Sequence, residues 1–295
     1  MIRASSNSVR LLRQSMTPRH GTIRMKNTIS RPLQRHRYSY LNVPSADKRK
    51  LQASLGSKSD MIVYHLQESE INPNGKRARE NLCNLLSVPR SPDEEPLPEP
   101  NRVAVKISSV DSPHFEEDVK IFANMANIST VVISKATSHK DIRTVEKAIA
   151  KYADLGKRAR SKKFRLVASI EDAFGLLNMR NIVSFCGKKS LHCRLSGLLF
   201  EAEAYCYNNS MIRTPEALEL LYARMEISLI ARIHGLEAID MACIDYRSRN
   251  NLWLECEDAR QLGFTGKQTQ YPSHVDDIRY RLAPRPEDDP EWYDD

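Results

Sequence analysis

Met61-Ile62-Val63-Tyr64 is an unbroken apolar run where a strand with one wet face would alternate. In extended chain, four consecutive apolar residues put side chains on both faces of a sheet, so both faces must be covered. That is the mark of a parallel sheet wrapped by helices. Working outward, similar short runs predict strands at Tyr38–Val43, Met61–Leu66, Val103–Ile107, Thr130–Ile133, Arg165–Ile170, Ser196–Phe200, Ala238–Ile244 and Gly263–Gly266, separated by helical patterns. The clearest helix runs from Thr214 to Gly235, with Thr214 as N-cap, Pro215 at the first helical position and Gly235 as a left-handed stop. Leu218, Leu221, Met225, Leu229 and Ile233 recur at helical spacing and are expected to face the sheet. Eight strands alternating with helices predict an α/β fold, a (β/α)8 TIM barrel, with an open doubly wound sheet as the alternative.

The formal net charge of +8 sits at one end. Residues 1–36 hold eight basic side chains and no acid, so the remainder is formally neutral. Serines and Ile2, Val9, Leu11 and Leu12 are interspersed among the arginines. Such a segment reads as a mitochondrial transit peptide, the alternative being a disordered basic tail. It places the protein in the mitochondrial matrix. Neutrality of the rest removes the case for a broad electrostatic nucleic-acid surface. One compact basic run remains, Arg158, Arg160, Lys162, Lys163 and Arg165, which could touch RNA or an acidic protein, or be a solvated loop.

Residues 37–283 are assigned to the barrel and 284–295 to an acidic, Pro-rich tail. Five prolines and four acids between Val88 and Pro100 mark a polar surface loop before the third strand. No stretch is long and apolar enough for a membrane span. The six cysteines lack paired short spacing and read as reduced, mostly buried thiols.

In a barrel, reactive groups stand at the C-terminal ends of strands. Those positions carry His65, Gln67, Glu68, Lys106, Ser108, Lys135, Glu171, Asp172, Glu201, Glu203, Asp245, Arg247 and Lys267. Glu171 with Glu203 or Glu201 could hold a hard divalent cation, which needs one or two carboxylates plus water. Equally, these acids could pair with Lys135 and Lys267 around the mouth.

Five segments in order carry a family resemblance: Ser39-Tyr40-Leu41-Asn42-Val43-Pro44, Ile170-Glu171-Asp172-Ala173-Phe174-Gly175-Leu176-Leu177-Asn178, Leu221-Tyr222-Ala223-Arg224, Gly235-Leu236-Glu237-Ala238-Ile239-Asp240 and Gly263-Phe264-Thr265-Gly266-Lys267-Gln268. The chain resembles the citrate lyase beta subunit family of the HpcH/HpaI aldolase superfamily, in particular its mitochondrial citrate lyase beta-like branch. The resemblance implies a TIM barrel, usually oligomeric, that binds magnesium and makes or cleaves carbon–carbon bonds beside a CoA thioester. The metal would polarise the carbonyl and stabilise enolate-like charge.

Carried over residue by residue, the resemblance makes Glu171 the first magnesium ligand. The second falls on Ala204, which cannot bind metal, with Glu203 beside it as the tentative replacement. The substrate-gripping arginine falls on Ala104. An acidic signature after the second strand becomes His65, Leu66, Gln67 and Glu68. Lys135 is kept, so Lys135 and Glu68 are the candidate catalytic groups. The family continues into further helices and a catalytic aspartate given to a neighbouring subunit, beyond the point where this barrel is expected to be truncated.

These losses favour a non-catalytic mitochondrial descendant without cofactor, a binding or scaffold protein with an unknown mitochondrial partner, homo- or hetero-oligomeric, with service to mitochondrial gene expression as one version of that reading. The alternative is an active magnesium-dependent CoA-thioester lyase with a rearranged site. Removing one stabilising group from a charge-developing reaction costs about 3 kcal/mol of barrier, and several are missing.

Overall fold

The computed structural model describes residues 37–66, 74–88, 90–153, 163–186, 190, 192–245 and 247–284. The basic leader and the tail after Pro284 lie outside the described residues. The elements, in order, are β1 (Ser39–Pro44), α1 (Lys48–Ser54), β2 (Met61–His65), α2 (Gly75–Ser87), β3 (Val103–Ile107), α3 (Phe115–Ala123), β4 (Thr130–Ile133), α4 (His139–Tyr152) and β5 (Phe164–Ile170). They continue with α5 (Ala173–Leu177), α6 (Met179–Val183), β6 (Cys193–Phe200), α7 (Ala202–Asn208), α8 (Leu221–Ile233), β7 (Glu237–Asp240), α9 (Arg249–Gln261), β8 (Gly266–Thr269) and α10 (Val275–Leu282). Every strand pairs in parallel with its sequence neighbours, and β8 closes onto β1 through Ser39 opposite Lys267. The fold is a closed (β/α)8 barrel, and the open sheet is excluded.

The apolar run of β2 divides by parity. Met61 and Val63 join Tyr40, Ala104, Val132, Val167, Leu199 and Ile239 in a cluster filling the barrel interior. Ile62 and Tyr64 belong instead to the larger core between strands and helices. This two-sided burial is why the strand has no polar face. The same parity extends the inward rows toward the C-terminal mouth, from Ala104 to Lys106, from Val167 through Ser169 to Glu171, and from Leu199 to Glu201.

Three sequence-based placements shift. The eighth strand runs Gly266–Thr269, not Gly263–Gly266. Gly263, at φ +87°, ends α9, and the Phe264 N–H reaches back to the Ala259 carbonyl, so these residues finish a helix. The strand that follows is polar yet buried, with Lys267 and Gln268 satisfied by hydrogen bonds to Met241 O and Phe200 O. A search for apolar runs passes over such a strand. Gly266 itself is forced by space: a Cβ there would stand 2.7 Å from the Arg37 carbonyl oxygen. The seventh strand stops at Asp240 rather than Ile244.

The helix before it begins at Leu221, after a 3-10 turn at Leu218–Leu220. Thr214 is not its N-cap; its amide and hydroxyl both donate to the Glu219 carboxylate. Ala217, at φ +51°, breaks the chain between them. Gly235 does end the helix at φ +61°. The expected core stripe faces solvent: Leu218 is 72% exposed and Ile233 69%. Ala223, Arg224, Ile227, Ser228, Ile230 and Ala231 are buried instead. The cause is Arg224, which makes a two-pronged bond to Asp240 at 3.1 and 2.8 Å and pairs with Asp258, fixing the helix's rotation.

Candidate functional site at the barrel mouth

Lys106, at the end of β3, is the centre of the mouth. Its Nζ stands 2.5 Å from Glu201 Oε2 and 3.2 Å from Glu171 Oε1, and its side chain is 3% exposed. Glu171 follows β5 and Glu201 follows β6, so inward parity delivers three charged groups from three strands to one point. Ser169 Oγ donates to Glu171 Oε1 at 2.7 Å. Glu201 precedes α7 without capping it, because its carboxylate is spent on Lys106. Burial alone works against the ammonium, yet the two carboxylates outweigh it and hold Lys106 charged well beyond the ordinary lysine range.

Beside this triad runs a chain of neutral bonds. His65 Nε2 lies 3.1 Å from Asn42 Oδ1, Asn42 Nδ2 donates to Gln268 Oε1 at 2.9 Å, and Gln268 Nε2 donates to Phe200 O at 2.9 Å. Asn42 Oδ1 can only accept, so His65 is the donor. Burial, followed by the Lys106 charge, pushes His65 down to about 3, leaving a neutral ring.

Glu203 lies elsewhere. It sits in the first turn of α7, 66% exposed at the side chain, and pairs with Arg213. The structure therefore does not bring Glu171 and Glu203 together, because the chain turns helical at Ala202 and carries Glu203 outward. Ala204 is on the same helix. The alternative pairing of Glu171, Glu201 or Glu203 with Lys135 and Lys267 is not seen among the described residues. Lys267 serves Asp240 and Glu255, and Lys135 reaches only Asp172, at 3.9 Å. Lys135 holds a left-handed φ of +51°, uncommon for a non-glycine residue, beside the mouth. Ala104 lies in the apolar interior, fully buried, so no clamp group stands there. Glu68 falls outside the described residues.

In the basic run, Arg158, Arg160 and Lys162 lie outside the described residues, Lys163 donates to Ser190 O, and Arg165 is buried against Glu237 at the opposite end of the barrel. Inward parity at the start of β5 accounts for Arg165. Sequence reasoning counted Lys106 among the mouth residues but missed its partners, and it missed Asn42 and Gln268 as a pair. The available signal was parity, counted inward from the apolar residues of each strand. All six cysteines are free thiols.

The sequence model of the HpcH/HpaI aldolase/citrate lyase family matches residues 39–272. The chain belongs to that family. It is 26% identical over 255 residues to the human protein named citramalyl-CoA lyase, mitochondrial, covering 85% of this chain and 72% of the relative. It is 27% identical over 250 residues to citrate lyase subunit beta of Escherichia coli K12, covering 85% and 78%. Among solved structures, the citrate lyase beta subunit of Mycobacterium tuberculosis superposes with a TM-score of 0.65 at 20% identity, over 84% of this chain and 98% of that one. The M. tuberculosis CitE protein in complex with magnesium and pyruvate gives 0.66 at 19%, over 88% and 96%. These likenesses show the fold.

The family implies magnesium, and the donor set here can be tested against it. Magnesium requires close oxygen ligands in octahedral array. The two carboxylates that face each other across this mouth both face the Lys106 ammonium, which stands where a shared cation would. A divalent ion about 3 Å from that ammonium would meet a repulsion of roughly 10 kcal/mol even at an effective dielectric of 20. No cluster of three or more His, Cys, Asp or Glu side chains able to hold a metal occurs among the described residues. The residues do not fit the ion.

Proposed function

We propose that this chain is a non-catalytic member of its family, working in mitochondria as a binding or scaffold protein. One observation carries the reading: the ammonium of Lys106 is already paired with both Glu171 and Glu201. An ammonium tethered between two carboxylates offers one charge and no metal coordination sphere, so it lacks the Lewis acidity with which a metal polarises a substrate carbonyl. Ala104 at the clamp position and the outward turn of Glu203 point the same way. The mitochondrial assignment is supported by the acid-free leader and by relatives named as mitochondrial.

Calorimetric titration with magnesium tests it. Wild type is expected to show no saturable binding, and Lys106→Ala to gain binding that a second change, Glu171→Ala, removes. Assay of wild type with the CoA thioesters used by the named relatives should give no cleavage. Micromolar magnesium binding by wild type, lost in Glu171→Ala and accompanied by cleavage, establishes instead a magnesium-dependent lyase; loss in Glu203→Ala as well would identify a rearranged ligand.

A further inference from the structure

Two buried guanidiniums share one carboxylate on the barrel floor. Parity explains the meeting: Tyr40, Val167 and Ile239 fill the interior, so Arg165 and Glu237, two residues earlier on β5 and β7, point inward beneath them. Arg37, just before β1, reaches Glu237 Oε1 at 2.9 Å, while Arg165 and the Tyr40 hydroxyl both donate to Oε2, at 2.5 and 3.0 Å. Both carboxylate oxygens are thereby engaged. The single negative charge answers one guanidinium and leaves one positive charge in excess, behind arginine side chains that are only 12% and 8% exposed. Arg194 adds to the excess: it stands opposite Arg165 in the register of β5 and β6, is exposed, and its charge reaches Glu237.

A second observation marks where that excess falls. Arg165 spends only Nη2 on Glu237; its Nε and Nη1 are buried and have no hydrogen-bond partner among the described residues. Buried donors are nearly always paired, and one that is not calls for a water or an ion. Water takes the N–H groups but leaves the charge, and a buried charge without a countercharge is strongly unfavourable. An anion meets both needs. We propose that Arg165, supported by the charges of Arg37 and Arg194, holds a chloride ion at the barrel floor. One charge in excess selects a monovalent ion, and the enclosure of Nε and Nη1 selects a compact one that accepts several N–H groups at once. Phosphate is larger and in large part doubly charged at neutral pH, so it meets neither requirement. The site lies at the end of the barrel away from the mouth and does not depend on how the mouth is read.

The full chain, exchanged into gluconate buffer, is to be dialysed to equilibrium against radiolabelled chloride at constant ionic strength, with the thermal unfolding midpoint followed over the same chloride series. Saturable uptake of a single chloride per chain is expected, with a midpoint that rises with chloride as ligand linkage requires. Arg165→Gln should abolish uptake. Because that buried change can also prevent folding, Arg194→Gln serves beside it: its side chain is exposed, so the protein should fold as wild type, yet the loss of a nearby positive charge should weaken chloride about fivefold. Glu237→Gln should tighten it about tenfold, since the carboxylate that competes for Arg165 is neutralised. No saturable uptake by wild type, uptake unchanged in Arg194→Gln, uptake weakened in Glu237→Gln, or displacement of chloride by an equal concentration of phosphate would overturn the proposal.

Discussion

The two ends of the barrel are each closed by a buried charge cluster, with opposite composition. At the N-terminal end, one carboxylate, Glu237, takes Arg37 at 2.9 Å, Arg165 at 2.5 Å and the Tyr40 hydroxyl at 3.0 Å. At the C-terminal end, one ammonium, Lys106, takes two carboxylates. The first cluster has an excess of positive charge and the second an excess of negative. Burial differs in its distribution: at the mouth the central Lys106 is 3% exposed at the side chain but its partner Glu201 is 21%, whereas at the floor Glu237 is 13% and its partners Arg37 and Arg165 are 12% and 8%. Parity assembles ion clusters at both ends, and the sign of the excess charge distinguishes the floor from the mouth. At the mouth the carboxylate excess is met in part by the single ammonium of Lys106.

Removing the central group at each end should hurt most where water cannot enter. Glu237→Ala strands two guanidiniums and should cost about 3–5 kcal/mol, read from urea unfolding. A loss under 1 kcal/mol would mean that solvent reaches the floor and that the two ends are energetically alike. Lys106→Met should cost less, about 2 kcal/mol, because its carboxylates lie nearer the open mouth. Part of that loss should return on adding millimolar magnesium, which Glu237→Ala should not share. Equal recovery in both variants would erase the distinction between the ends.

The smallest expected effect is a pH response confined to the mouth. His65 is held near 3 in the folded protein against 6.5 when free, so the unfolded chain binds the extra proton first. Its stabilising contribution is therefore complete above pH 6.5 and is lost as pH falls toward 3. Between pH 7 and pH 5.5, wild type should lose about 1 kcal/mol more than His65→Asn, measured by denaturant unfolding at each pH. Identical losses would show that His65 is hydrated and titrates freely.

Arg224 shows how a legible helix was read backwards. The spacing of Leu218, Leu221, Met225, Leu229 and Ile233 correctly announces a helix with an apolar face, but not what that face meets. Amphipathic periodicity gives the stripe and is silent about the occupant; the inward face was chosen by the ion pair with Asp240, sixteen residues away in sequence. In the same way β8 was displaced because its four residues, Gly266-Lys267-Gln268-Thr269, are polar, and their burial depends on partners supplied by β1, β6 and α9.

The sequence by itself determined the barrel, the near-complete set of its strands and the family, since continuous apolar runs and ordered local segments are properties of neighbouring residues. It also located Glu171, Glu201 and Lys106 at strand ends. Only the tertiary structure decided that these three meet while Glu203 leaves, that Arg165 is buried in the barrel floor, and that the apolar side of α8 faces outward. Each of those outcomes rests on an inward direction summed over several strands or on a partner far along the chain, and no short stretch of sequence contains both halves of such a contact.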